Sequence, residues 1–171
     1  VARAAAQGRS ALRIVPFDPA LREHFYRLNE AWLRKYFYVE EIDHRVLSNP
    51  ETEILRSGGA ILFAMLGDEV IGTCALLHES DGVYELTKMA VDEQRQGLGI
   101  GRALMEAAIA EFRQRRGRRL FLETNSKLTP ALRLYESMGF EHQPSIKPDS
   151  HYDRANVYMV WHDPQGAPPV P

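Results

Sequence analysis

Three glycines, Gly97, Gly99 and Gly101, alternate just ahead of Arg102-Ala103-Leu104, where a helical pattern begins. A strand-like run, Tyr84 to Val91, leads into them. Glycine admits positive φ and lets another molecule approach the backbone closely. Amides converging ahead of a helix start form a concave anion site, and the helix dipole strengthens it. The stretch therefore reads as a phosphate cradle, against the plainer reading of a flexible strand-to-helix turn. Other reactive types are scattered. Cys74 is the only cysteine and lies in an apolar run, so it reads as core and no intrachain disulfide can form. The six histidines show no ligand spacing, and no metal is expected.

The elements that must hold this turn follow from periodicity. Leu12 to Pro16 is a short strand. Asp18-Pro19 reads as a cap with proline at the first helical position, opening an amphipathic helix to Tyr36 with Leu21, Phe25, Leu28 and Trp32 on one face. Val39 to Leu47 is a shorter helix, and Glu51 to Arg56 adds a helical turn. Ala60 to Leu66 and Glu69 to Leu77 form an antiparallel hairpin about Gly67-Asp68, and a second turn at His78 to Gly82 leads into Tyr84 to Val91. After the glycines, Met105, Ala108, Ile109 and Phe112 mark a helix ending near Arg116, with Gly117 as its C-cap. Arg118 to Thr124 is a strand, parallel to Tyr84–Val91 because one helix joins them. Thr129-Pro130 opens a last helix by the same logic as Asp18-Pro19. Phe140 to Gln143 and Ala155 to His162 complete the strands. The expected fold is α+β in three α/β/α layers: a mixed, mostly antiparallel sheet with helices on both faces.

At 171 residues the chain reads as one folded domain over residues 11–162, with a flexible arm at 1–10 and a disordered tail at 163–171. With 44% hydrophobic and 26% charged residues and a formal net charge of −2, it has no global pull toward nucleic acid or anionic membrane. No apolar run is long enough to span a bilayer, and the opening residues lack the apolar segment of a secretory signal. A cytoplasmic protein is expected, with no nucleic-acid or membrane partner; self-association as a homodimer is left open.

The chain resembles the GNAT superfamily of N-acetyltransferases. The likeness covers Leu12 to His162 in element order and is sharpest from Tyr84 to Phe140. The family's acetyl-CoA signature is Gln or Arg, two residues, Gly, one residue, then Gly or Ala. It is met by Gln96, Gly99 and Gly101, with Gly97 in a frequent extra glycine position. A second block, Leu-Tyr-Glu-x-x-Gly-Phe, is met by Leu134 to Phe140. The resemblance implies acetyl-CoA as cosubstrate and a primary amine, on a small molecule or a peptide, as acceptor. Its pyrophosphate would rest on amides from Gln96 to Arg102, chiefly around Gly97, Leu98, Gly99, Ile100 and Gly101. Its pantetheine would pair like a strand with the backbone of Met89, Ala90 and Val91, where the central parallel pair splays, and Asn125 would bond to it. Many members carry asparagine where this chain has Leu128.

The chemistry implied is direct attack within a ternary complex. The resemblance gives Tyr135 as the acid for the departing thiolate and Glu85, six residues before Val91, as the base that acts through water; Glu123 is a weaker rival. Against these stand a packed helix tyrosine and a solvated strand-end carboxylate. Tyr36, Phe37, Tyr38 and Glu41 are the expected wall on one side of the acceptor, with His151, Tyr152 and Arg154 on the other. Arg154 either holds an acceptor carboxylate or pairs locally with Asp153 or Glu141. The arginines from Arg113 to Arg119 read as helix capping and as contacts to the cofactor 3′-phosphate. Two alternatives stand beside this: a non-catalytic acyl-CoA sensor and, more distantly, a dinucleotide-binding oxidoreductase, whose glycine spacing fails here because Arg102 or Leu104 falls at the third glycine position.

Overall fold

Alternation and apolar runs in the middle of the chain build one sheet, and its two faces carry two separate cores. In the computed structural model, residues 12–163 are described. The arm at 1–10 and all but the first residue of the 163–171 tail lie outside them. Seven strands are present: β1 (Leu12–Pro16), β2 (Ala60–Leu66), β3 (Glu69–Ser80), β4 (Val83–Val91), β5 (Arg119–Thr124), β6 (Phe140–His142) and β7 (Val157–Trp161). Their order is β1-β2-β3-β4-β5-β7-β6. Every pair is antiparallel except β4–β5. That single parallel pair in an antiparallel meander is not the doubly wound sheet of a dinucleotide-binding unit.

The helices are α1 (Arg22–Tyr36), α2 (Glu41–Ser48), α3 (Ile100–Gln114) and α4 (Thr129–Ser137). One core joins Leu104, Met105, Ala108 and Phe112 of α3 to Leu86 and Leu120 of the sheet. On the opposite face, Phe25, Leu28 and Leu33 of α1 and Val46 and Leu47 of α2 pack on Phe63 and Ala75. The helices thus lie on both faces, as the periodicity predicts.

Several local expectations shift by a turn. The Asp18 carboxylate does accept the Ala20 N–H at 2.8 Å, but it caps a 3-10 turn, Pro19–Leu21, before α1 begins at Arg22. Glu51–Leu55 closes as one wide turn, with Arg56 N–H on Glu51 O at 2.8 Å. Thr129 does not cap α4: that position is Leu128, with no side-chain cap bond. At the end of α3 the left-handed residue is Arg116 (φ 55°), not Gly117. Arg116 N–H reaches Arg113 O and Gly117 N–H reaches Phe112 O, the paired bonds of a Schellman motif. Gly117 is required for space: a Cβ there would lie 2.1 Å from the Phe112 ring.

The feature that matters for function is a split. β4 and β5 are in register only from Val83↔Arg119 to Glu85↔Phe121. Beyond that, β5 pairs with β7 on its other side, and β4 keeps only β3. β4 also bulges: Thr87 faces Ala75 and Ala90 faces Thr73, leaving Lys88 and Met89 out of register. Lys88 sits at φ 53°, left-handed backbone that a non-glycine residue adopts only at a cost of about 1–2 kcal/mol.

Candidate active site

Two adjoining hollows occupy the split. The inner one, about 90 Å³, is lined by Glu85, Lys88, Glu123 and Asn125 with the aromatic walls Trp32 and Tyr152. The outer one, about 460 Å³, runs along Met89 and Val91 to Gln96, Gly97, Gly99 and Arg102. Trp32, Met89, Leu128 and Tyr135 line both hollows, so the two adjoin.

At its outer end the backbone is open. Gln96, Gly97, Leu98 and Gly99 are exposed, with Leu98 at 62%. Gly97 (φ 84°) and Gly99 (φ 75°) are left-handed, and a Cβ at either would meet no protein atom within 4 Å. Gly99 is the N-cap of α3, and among the described residues the first amide taken up is that of Ala103, on Gly99 O at 3.0 Å. The amides from Gly97 to Arg102 remain for an anion at the positive end of a 15-residue helix. Met89 and Val91 line the outer hollow, whereas Ala90 is buried in the opposite core and offers only its backbone.

At the inner end, chemistry from both faces of the sheet meets through the gap. Glu85 projects on the α1/α2 side, 5% exposed. Burial, then the Glu123 charge, pushes its carboxyl up to about 8. Tyr135, on α4 across the sheet, reaches the same hollow, and burial pushes its phenol up to about 12. A carboxyl that ionises near neutrality and a phenol that stays protonated can move protons in opposite directions on the two sides of one ligand.

Around them lies an ion cluster with no sequence signature. Lys88 Nζ donates to Asp43 Oδ1 at 2.7 Å. Arg154 donates to both Asp43 oxygens at 2.7 and 2.9 Å and to Glu40 Oε2 at 2.7 Å. Burial alone would raise the Asp43 carboxyl; the bonds from Arg154 and Lys88 outweigh it and hold the group below its ordinary range. Both cations also lie over the Tyr152 ring, each 4.7 Å from its centroid. Arg154 thus pairs with α2, not with Asp153 or Glu141.

Other expected contacts differ. The Asn125 side chain is engaged at both ends: Nδ2 donates to Arg154 O at 2.7 Å, and Oδ1 accepts the Lys127 N–H at 3.0 Å. It secures the loop after β5 while lining the inner hollow. Tyr38 and Glu41 are exposed and outside the lining, as is His151; Asn29, Trp32 and Leu33 of α1 form that wall with Phe37. Of the three from α1, only Trp32 stood on the apolar face that helical spacing marks, and nothing local marked Asn29 or Leu33 as lining. The arginine cluster sits at the far end of α3 from the glycine turn, roughly 22 Å away at 1.5 Å per residue. Four of its five members are bound to the chain itself: Arg113 to Asp163, Arg115 to Gly58 O, Arg118 to Asp81 O and Arg119 to the Tyr158 hydroxyl. They are not placed to meet a phosphate at the turn.

The model of the acetyltransferase (GNAT) family matches residues 20–140, which include the glycine turn, Glu85 and Tyr135. The chain is 32% identical over 117 residues to a mycothiol acetyltransferase of Acidothermus cellulolyticus, covering 68% of this chain and 33% of that protein. It is 31% identical over 107 residues to the N-acetylaspartate synthetase of Rattus norvegicus, covering 61% of this chain and 36% of that protein. The match therefore spans about a third of those relatives' length. Among solved structures, a GNAT-family acetyltransferase from Staphylococcus aureus Mu50 superposes with a TM-score of 0.77 at 22% identity, over 88% of this chain and 98% of that one. The structure of yncA from Salmonella typhimurium with its cofactor acetyl-CoA superposes with a TM-score of 0.72 at 19% identity, over 94% and 98%. At these identities the superpositions establish the fold. Among the described residues no helix is long and apolar enough to cross a membrane.

Proposed function

The chain belongs to the acetyltransferase (GNAT) family, and on that premise we propose that it moves an acetyl group from acetyl-CoA to a primary amine by direct attack in a ternary complex. One observation carries the reading. Two adjoining hollows run from the unused amides of Gly97 to Arg102, past the parted strand, to a space that Glu85 and Tyr135 both line. That is the room a diphosphate joined to a narrow thioester arm needs. The amides and the α3 dipole hold the diphosphate. Met89 to Val91, with no strand on their β5 side, offer backbone to the amide-bearing arm.

The acceptor reaches the hollow from the α1/α2 side. An alkylammonium with a pKa near ~10 is not nucleophilic, so its proton must leave first. Glu85 receives it, directly or through one water. The backbone N–H at the bulge, around Met89 or Ala90, faces the carbonyl oxygen as charge builds on it. Tyr135 gives its proton to the sulfur that departs. Asn125 positions the loop behind the hollow.

Thiol release from acetyl-CoA that depends on an added amine, with the N-acetylated amine seen by mass spectrometry, supports the reading. Hydrolysis unaffected by any amine removes it. Gly99→Val tests the cradle: calorimetry should show acetyl-CoA binding lost while circular dichroism shows a folded chain, since a side chain there meets no protein atom and the left-handed backbone (φ 75°) adds a cost of about 1–2 kcal/mol, which the domain can bear. Normal binding by Gly99→Val would leave the glycine turn without a role.

A further inference from the structure

The charges around the inner hollow do not cancel. Lys88 and Arg154 line it, Lys147 lies near enough to feel Glu85 and Glu123, and Lys127 of the outer hollow is turned onto Tyr36 O and the Phe37 ring. Lys88 is held by Asp43, and both side chains are at most 4% exposed. Arg154 is held by Asp43 and Glu40, and Lys147 Nζ lies 3.0 Å from Glu79 Oε1. Asp43, Glu40 and Glu79 are thus the carboxylates that Lys88, Arg154 and Lys147 bond directly, while Lys88 and Lys147 act on Glu85 only at longer range. Two carboxyls are left over. Glu85 and Glu123 both line the hollow, and neither has an ion-pair partner among the described residues. Glu85 is 5% exposed, so its lack of a cation is not made good by bulk water.

The strands place the two carboxyls side by side. Glu85 of β4 is opposite Phe121 of β5, and Glu123 follows two residues on. Side chains two apart on a strand share a face, so both carboxyls stand on the same side of the parted pair. Trp32, Phe37 and Tyr152 supply the remaining wall, apolar and of a size for a short methylene chain.

Resting on the acetyl-transfer reading above, we propose that the acceptor carries a second cationic group a few bonds from the amine that is acetylated, and no carboxylate in that position: a short aliphatic diamine in outline. The reacting ammonium gives its proton to Glu85 and its nitrogen then bonds to the acetyl carbon. The carbon–sulfur bond breaks, the sulfur takes the Tyr135 proton, and the second proton shed by the nitrogen as it becomes an amide restores the Tyr135 phenol. The second ammonium stays charged and pairs with Glu123. A carboxylate in its place would lie against the like-charged Glu123. To find a cation it would have to draw Lys88 or Arg154 off Asp43, leaving that buried carboxylate short of a partner.

Three acceptors of one length separate the cases: 1,4-diaminobutane, butylamine and 4-aminobutanoate, whose far ends are positive, neutral and negative. Acetyl-CoA turnover by the full chain is followed as free thiol with each. The expected order of kcat/KM is diamine, then butylamine, then the amino acid, separated by about tenfold at each step. Glu123→Gln should shrink the diamine's advantage over butylamine to less than about threefold, through KM rather than kcat. Turnover of 4-aminobutanoate equal to or above that of butylamine overturns the inference and leaves acetyl transfer standing. So does a Glu123→Gln variant that lowers diamine and butylamine by one common factor, because Glu123 would then serve every acceptor alike. No amine-dependent turnover with any of the three, or with a wider amine panel, overturns the transfer reading and this inference with it.

Discussion

Glu85 is the residue whose chemistry depends most on its surroundings. An ordinary glutamate is ionised at neutral pH, but here burial and Glu123 push it up to about 8. If it is the base, kcat/KM should climb with pH to a shoulder near 8, and Glu85→Gln should lose both that limb and activity on the order of 10²-fold. A flat profile for the parent protein would remove Glu85 from the reaction. The same shift governs stability. Below the unfolded value of 4.5 both states hold the proton and nothing is lost. Above it the unfolded chain releases the proton first, so native stability falls until pH passes about 8. Urea denaturation should therefore find Glu85→Gln more stable than the parent at pH 9 by on the order of 3 kcal/mol, with little difference at pH 4. Tyr135 is raised as well, to the opposite use: a phenol at about 12 keeps its proton throughout the working range. Tyr135→Phe should cut kcat by on the order of 10²-fold while leaving the acetyl-CoA dissociation constant unchanged in a direct titration. Equal turnover would mean that another group protonates the sulfur.

At the scale of elements, α3 carries the site at its start and a conformational cost at its end. Its N-terminus is built from two left-handed glycines, and its C-terminus closes on a left-handed arginine. Arg116 makes a Schellman turn that glycine adopts without a Cβ penalty. Arg116→Gly should raise stability by about 0.5–1 kcal/mol in chemical denaturation, with kinetics unchanged because the change lies a full helix length from the hollow. Its neighbour behaves in reverse. Gly117→Ala would drive a methyl into the Phe112 ring and should cost about 2 kcal/mol or more. The sequence marks Gly117 as the helix stop, and it is indispensable, but for space around an aromatic ring rather than for its backbone angle.

Across the whole molecule, Asp43 closes the site. It ties α2 to the β4 bulge through Lys88 and to the loop before β7 through Arg154. Lys88 keeps its left-handed backbone within this clasp, and Tyr152 is held between the two cations. Asp43→Ala leaves the buried Lys88 ammonium without a carboxylate and Arg154 with Glu40 alone, and should destabilise by about 3 kcal/mol, read as a lowered urea midpoint. The depressed Asp43 carboxyl gives stability that is complete above its unfolded value of 3.8 and is lost as pH falls through its lower native value. In acid the penalty for the substitution should therefore shrink. A constant penalty down to pH 2 would mean that the ion pairs do not carry the clasp.

By itself the sequence settled what short-range forces settle. Strand and helix periods, the alternating glycines and the Leu134–Phe140 block were legible because each is written within a few residues of itself, as were Glu85 and Tyr135 once the resemblance located them. Tertiary structure alone decided where those two side chains meet. They sit on opposite faces of the sheet and share a hollow only because β4 and β5 lose register beyond Glu85 and Phe121. It also decided that Arg154 pairs with Asp43, 111 residues away, that Asn125 is committed to its own loop, and that two carboxyls are left without cations. Those outcomes depend on which buried charges come within reach once seven strands and four helices are packed, and a Coulomb interaction over 3 Å carries no trace of its partner in the local order of residues.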